Sequence, residues 1–163
     1  MHEIYILRHG HAKEASNGLN DFDRALTDEG IEKTNKLGLF FNKLDASLEL
    51  ILSSPYIRAK QTAEIFVSNL TLKPEFKIVD FLACGVSCGE ISRGLMNYYS
   101  NKSALLVGHS PDLEVFLGKL IGADRVILKK GALAKVKFDN AIEMAGELEW
   151  LITPKLVRKI KIK

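Results

Sequence analysis

Three short stretches carry residues whose types and spacing could do chemistry: Arg8-His9-Gly10, Ser54-Pro55 followed by Arg58, and Gly108-His109-Ser110-Pro111. A guanidinium presents a planar fork of donors that matches phosphate oxygens. A neutral imidazole offers a ring nitrogen able to attack phosphorus. Arg8 and His9, adjacent in the chain, therefore read as a phosphoryl-transfer pair. Arg58 adds a second cation and His109 a second imidazole, so the set suggests a phosphoryl group gripped by several positive or donor groups. Taken singly, each residue has a duller reading: a solvated strand-end arginine, a hydrogen-bonded histidine, an exposed helix charge. Their joint placement is what argues for a site.

Each stretch lies where an element ends or begins. Ile4-Tyr5-Ile6-Leu7 has the character of a strand buried on both faces, and Gly10 is expected to let the backbone turn after it. Leu48 to Ser53 reads as a second strand. Ser54 then looks like the N-cap, and Pro55 the first turn, of a helix reaching about Leu70, which puts Arg58 near unpaired backbone donors. Phe76 to Leu82 suggests a third strand, Ala83 to Gly89 a loop, and Glu90 to Tyr99 a helix. Ser103 to Val107 is a fourth strand, and Ser110-Pro111 opens a helix through Leu120. Between the first strand and Thr27, the expected cap of a helix reaching about Leu44, the polar segment Lys13 to Arg24 contains the turn pair Asn17-Gly18. Ala132 to Phe138 and Glu147 to Thr153 read as two more strands around Asp139-Asn140, with Phe138 and Trp150 in the core. The tail Lys155 to Lys163 suits a short strand, a membrane-attracted basic patch or a solvated end.

Strand–helix alternation requires parallel strands in one sheet and lines up their C-terminal ends along one edge. Arg8, His9, Arg58 and His109 should converge there. The expected fold is a three-layer α/β/α domain over residues 1–163, with a mostly parallel central sheet and an antiparallel edge strand near the C-terminus. Its 163 residues, 47% hydrophobic, suffice for one core, and a net charge of +3 is too small to argue for nucleic acid. No apolar run approaches the roughly 20 residues of a membrane span, and no leader pattern precedes the first strand, so a cytoplasmic location is expected. Cys84 and Cys88 are too few for a disulfide framework and lack the further ligands of a zinc site.

Leu7-Arg8-His9-Gly10, the run Ser53 to Thr62 and Val107-Gly108-His109-Ser110-Pro111 together resemble the motifs of the histidine phosphatase superfamily, also called phosphoglycerate mutase-like. The compact length is similar to that of its small SixA-type phosphohistidine phosphatases, and Arg24-Ala25-Leu26-Thr27 resembles their Arg-Pro-Leu-Thr stretch with alanine in place of proline. The resemblance implies a phosphoglycerate mutase-like fold in which His9 is transiently phosphorylated while Arg8, Arg58 and His109 hold the phosphate. It also implies that no metal or other cofactor is needed, and that the substrate is phosphohistidine in a protein, such as a histidine phosphotransfer protein. Arg24 fits either a phosphate contact or a loop salt bridge.

One departure matters. In larger relatives of this kind an acidic proton donor follows the third strand, whereas here the chain reads Asp80-Phe81-Leu82-Ala83-Cys84-Gly85. Asp80 and Glu90 are candidates by proximity, and Asp21 and Asp23 by their place on the loop; each also reads as a surface or turn carboxylate. A phosphorylated histidine leaves as imidazole and needs less help than an alkoxide, so a missing acid fits nitrogen-linked phosphate. A phosphatase of a small phosphorylated metabolite and a non-catalytic phosphate-binding module are the other readings that the residues allow.

Overall fold

The computed structural model describes residues 2–15, 18, 20–98, 100, 103–138 and 145–160. Six strands, β1 (His2–Arg8), β2 (Leu50–Ser53), β3 (Glu75–Ile78), β4 (Ser103–Gly108), β5 (Leu133–Phe138) and β6 (Gly146–Ile152), form one sheet in the order β3-β2-β4-β1-β5-β6. The first four are mutually parallel; β5 runs antiparallel to both β1 and β6. Five helices cover the sheet: α1 (Asp28–Phe41), α2 (Ile57–Ser68), α3 (Cys88–Met96), α4 (Asp112–Leu120) and the single turn α5 (Pro154–Val157).

The two-residue period of the strands sorts the apolar side chains into two cores. Ile6, Leu52 and Leu106 pack with Ile91 of α3 and with Leu113, Phe116 and Leu117 of α4. Tyr5, Leu7, Ile51, Leu105 and Val107 point the other way, onto Leu37 and Phe41 of α1 and Ala59, Ala63 and Phe66 of α2. The result is the expected three-layer α/β/α architecture, mostly parallel with an antiparallel edge. Among the described residues no helix is long and apolar enough to cross a membrane.

Several expected boundaries move. The third strand stops at Ile78 because Val79 and Leu82 drop into the α3/α4 core, and Asp80–Leu82 form a single 3-10 turn closed by the Ala83 N–H on the Asp80 carbonyl. Neither Ser54 nor Ser110 caps a helix. The N-cap of α2 is Tyr56 and that of α4 is Pro111, the latter after a cis Ser110–Pro111 bond. Helix α3 starts at Cys88 under a capping box made by Ser87 and Glu90, and α1 starts at Asp28 with Thr27 accepting the Gly30 N–H, as the sequence suggests. Phe138 is fully in the core, whereas Trp150 is half-buried on the edge strand with its ring 6.1 Å from that of Tyr5. Asn17, Tyr99, Asp139, Asn140 and the last three residues of the tail lie outside the described residues; the start of the tail forms α5, with Val157 in the α1/α2 core.

Candidate active site

The site is built on strand register. β1 and β4 are neighbours with Arg8 opposite Gly108, and the His9 N–H donates to the Gly108 carbonyl at 3.0 Å. His9 and His109 are thus each the first residue beyond adjacent parallel strands, with ring centroids 5.3 Å apart. On the other side of β4, Ser53 pairs with Val107 and the Ser54 N–H donates to the Val107 carbonyl, so the chain leaves β2 beside His109 and enters α2 with Arg58 in its first turn. Gly10 does not adopt the left-handed conformation expected of a turn glycine. Its surroundings are close: a Cβ there would lie 3.1 Å from Thr34 Oγ1 and 3.3 Å from Leu26 Cδ2, so both side chains would have to give way slightly, and its N–H donates to Thr62 Oγ1. Gly131 does need its positive φ of 74°, which lets its N–H reach both the Arg8 and His9 carbonyls and pins the loop before β5 to the end of β1.

The buried His9 ring has a defined tautomer. Nδ1 lies 2.7 Å from the Gly10 carbonyl, which can only accept, so Nδ1 carries the proton and the neutral ring presents a bare Nε2. Arg58 Nε donates to that Nε2 at 3.3 Å. Burial, reinforced by the charges of Arg58, Arg8 and Lys130 against the pull of the Gly10 carbonyl, depresses the His9 pKa to about 4. His109 is pushed down to about 3, first by burial and then by His9 and Arg58. Its Nε2 is 2.7 Å from Ser54 Oγ.

Both guanidiniums are held by the protein. Arg8 Nη1 donates to the Leu128 carbonyl at 2.6 Å and stands 4.0 Å from Glu114, whose buried carboxylate also accepts the Leu128 N–H. Arg58, only 4% exposed, donates through Nη1 to the Asp21 carbonyl and through Nη2 to Asp21 Oδ2 and Cys84 Sγ. The Tyr56 ring closes this side, 4.9 Å from the Arg58 guanidinium and 5.0 Å from the His109 ring, with Phe22 packed on it at 4.9 Å. Among the described residues, two buried side-chain polar atoms lack any partner: Arg8 Nε and His109 Nδ1.

The remaining sequence candidates separate. Arg24 takes the loop salt bridge, with Nε on the Lys13 carbonyl and Nη1 on Asp21 Oδ1 at 2.8 Å, and so meets Arg58 only through Asp21. Those two arginines, Arg24 foremost, hold the Asp21 carboxyl below the usual carboxylate range, which keeps it ionised and unsuited to donating a proton. Glu90 is spent on the α3 cap, and Asp23 and Asp80 are exposed. Sequence reading missed Lys130, whose charge acts on His9 from the loop before β5, as well as Tyr56 and Glu114, and it gave Ser54 a cap in place of its contact with His109. The one available signal for Glu114 was a carboxylate at an otherwise apolar helical position.

The C-terminal ends of the parallel strands in this α/β domain thus gather two imidazoles and two guanidiniums, with Arg8 Nε and His109 Nδ1 left without a partner among the described residues. The chain belongs to the histidine phosphatase superfamily: residues 4–80 match the model of its branch 1. It is 36% identical over 113 residues to an uncharacterised protein of Picosynechococcus, covering 68% of each chain. With the phosphohistidine phosphatase SixA of Escherichia coli it shares 26% identity over 160 residues, 93% of this chain and 94% of that one. A structure of the protein histidine phosphatase SixA complexed with tungstate superposes with a TM-score of 0.85 at 24% identity, over 95% of this chain and 99% of the other.

Proposed function

We propose that this SixA-like member of the superfamily is a phosphatase that removes phosphate from phosphohistidine in a protein, through a covalent intermediate on His9 and without a metal. The observation that carries the reading is the His9 ring, with Nδ1–H anchored on the Gly10 carbonyl and a proton-free Nε2 facing Arg58. In the first step the Nε2 lone pair forms a bond to phosphorus and the bond from phosphorus to the leaving group breaks, its electron pair going to that group. Water then cleaves the new P–N bond, releasing inorganic phosphate and restoring His9. Arg8, Arg58 and His109 stabilise the charge that gathers on the non-bridging oxygens, and the two guanidiniums supply the positive charge a metal would otherwise bring. The similarity to a SixA that accommodates tungstate, a tetrahedral oxyanion, supports a pocket of this kind.

The leaving group follows from the carboxylates. Asp21 is held ionised and Glu90 is committed to a cap, so neither is poised to protonate an alkoxide. A phosphohistidine whose distal ring nitrogen carries a proton departs as neutral imidazole and asks for no such donor. The substrate we favour is accordingly a phosphorylated histidine on a partner protein, such as a histidine phosphotransfer protein. Single-turnover phosphate release from a phosphohistidine-bearing phosphotransfer protein and from p-nitrophenyl phosphate, both in chelator, tests this with wild type and His9→Ala. Faster release from the phosphoprotein, abolished in His9→Ala, is expected. Activity on the ester alone would redirect the reading to small metabolites, and activity on neither would leave a binding module.

A further inference from the structure

Ser54 is fully buried, and its hydroxyl has two polar neighbours among the described residues: the Tyr56 N–H, which donates to Oγ at 3.3 Å, and His109 Nε2 at 2.7 Å. A backbone N–H cannot accept, so the hydroxyl proton has one acceptor within reach, the lone pair of Nε2. The reverse arrangement, Nε2–H donating to Oγ, would leave that proton with no acceptor in the protein, whereas Nε2 accepting moves the open donor onto the ring nitrogen of His109 that faces no protein partner. With Nε2 accepting, the single ring proton of neutral His109 sits on Nδ1. That is the nitrogen of this 3%-exposed side chain that lacks a partner. A buried donor left open next to His9 needs an acceptor, and a phosphoryl oxygen would supply one.

We propose that Ser54 is a positioning residue whose hydroxyl holds His109 in the Nδ1–H tautomer, so that Nδ1–H donates to a non-bridging oxygen of the phosphoryl group at His9. The identity of the acceptor rests on the phosphatase reading; the tautomer needs only an anion at Nδ1, since without one each tautomer buries one unpaired proton. The Nε2–H form would turn a lone pair toward anionic oxygen and replace an attraction with a repulsion. The same commitment explains why Ser54 does not cap α2 although Ser54-Pro55 has the signature for it: its hydroxyl is engaged with the ring at the end of the neighbouring strand.

The test is long-range 1H–15N correlation NMR on the 15N-labelled full chain, with the His109 signals assigned by their loss in His109→Gln. Wild type at neutral pH with saturating inorganic phosphate is expected to show a protonated Nδ1 and a bare Nε2; a protonated Nε2 overturns the proposal, and this spectrum decides even if the Ser54 variants fail to fold. Ser54→Ala should move His109 toward the Nε2–H form and reduce both kcat on p-nitrophenyl phosphate and affinity for inorganic phosphate about tenfold, the loss of one hydrogen bond to a charged group. Ser54→Thr, which keeps the hydroxyl, should retain the tautomer and most of the turnover. An unchanged kcat in a folded Ser54→Ala, or an equal loss in both variants, refutes the role of the hydroxyl. If wild type hydrolyses no phosphate compound, the phosphatase reading fails, while the tautomer still stands or falls on the spectrum, and titration with inorganic phosphate reads the Nδ1–H contact directly.

Discussion

Arg58→Ala separates a site arginine from a structural one. Every nitrogen of the Arg58 guanidinium group is engaged: Nε on His9 Nε2, Nη1 on the Asp21 carbonyl, Nη2 on Asp21 Oδ2 and Cys84 Sγ. In turnover it would face the oxygens on which charge builds, and removing one such preorganised donor in a water-poor site costs roughly 3–4 kcal/mol of transition-state stabilisation, or a factor of about 100 to 1,000 in kcat. The stability cost should be smaller. Asp21 keeps Arg24 as a partner at 2.8 Å and its side chain is half exposed, so no buried charge is stranded. The assay is steady-state hydrolysis of p-nitrophenyl phosphate beside a thermal melt of each protein. Turnover within tenfold of wild type in a folded Arg58→Ala would show that the guanidinium organises the loop around Asp21 and does not serve the reaction.

Three further outcomes are expected. His9 titrates near 4 when folded and near 6.5 when unfolded, so the unfolded chain binds the proton first; stability present above about pH 6.5 is lost as pH falls toward 4, by about 3 kcal/mol for this residue, and His9→Gln should flatten that part of the urea-midpoint profile. An unchanged slope in that variant would show that His9 is not the group responsible. Asp21→Asn removes a carboxylate that occupies the Arg58 donors, and since a partly exposed pair is worth about 1 kcal/mol or less, inhibition by inorganic phosphate should tighten up to about fivefold; weaker inhibition would mean that Asp21 holds Arg58 in place instead of competing for it. Gly30→Ala would set a Cβ 2.1 Å from the His11 carbonyl oxygen at the start of α1, and should lower stability by roughly 1–3 kcal/mol in urea unfolding, a cost that an unaltered midpoint would disprove.

The convergence of Arg8, His9, Arg58 and His109 was legible in the sequence because it depends on quantities that sequence encodes well: buried strand runs, strand–helix alternation, and the rule that parallel strands share an end. Local cues were less secure where tertiary contacts compete. Ser54-Pro55 carries a good capping signature, yet the hydroxyl goes to an imidazole 55 positions away. Val79 and Leu82 extend an apolar run that reads as strand, but the core they enter lies off the sheet. Gly10 looks like a turn residue and instead lies close against Thr34 and Leu26. Asp21 was a candidate only by its place on the loop, and Lys130 and Glu114 could not be tied to the site beforehand, because each reaches it through a loop or through another side chain, and such paths leave no periodic trace.

The register of β1 on β4 has a consequence for how such a protein can change over time. Both imidazoles emerge one residue past strands locked opposite each other, so a slip of a single position would send a ring to the far face of the sheet. Residues 20–24 reach that frame chiefly through the Asp21 contacts with Arg58, whereas residues 125–131 are tied in more firmly, by the buried Leu128 bonded to Arg8 and Glu114 and by the Gly131 N–H on the end of β1. The arrangement of the four side chains is therefore inherited with the sheet while the loop around Asp21 is the more exchangeable part, and a lineage can alter the length and charge of that loop without having to reassemble the centre.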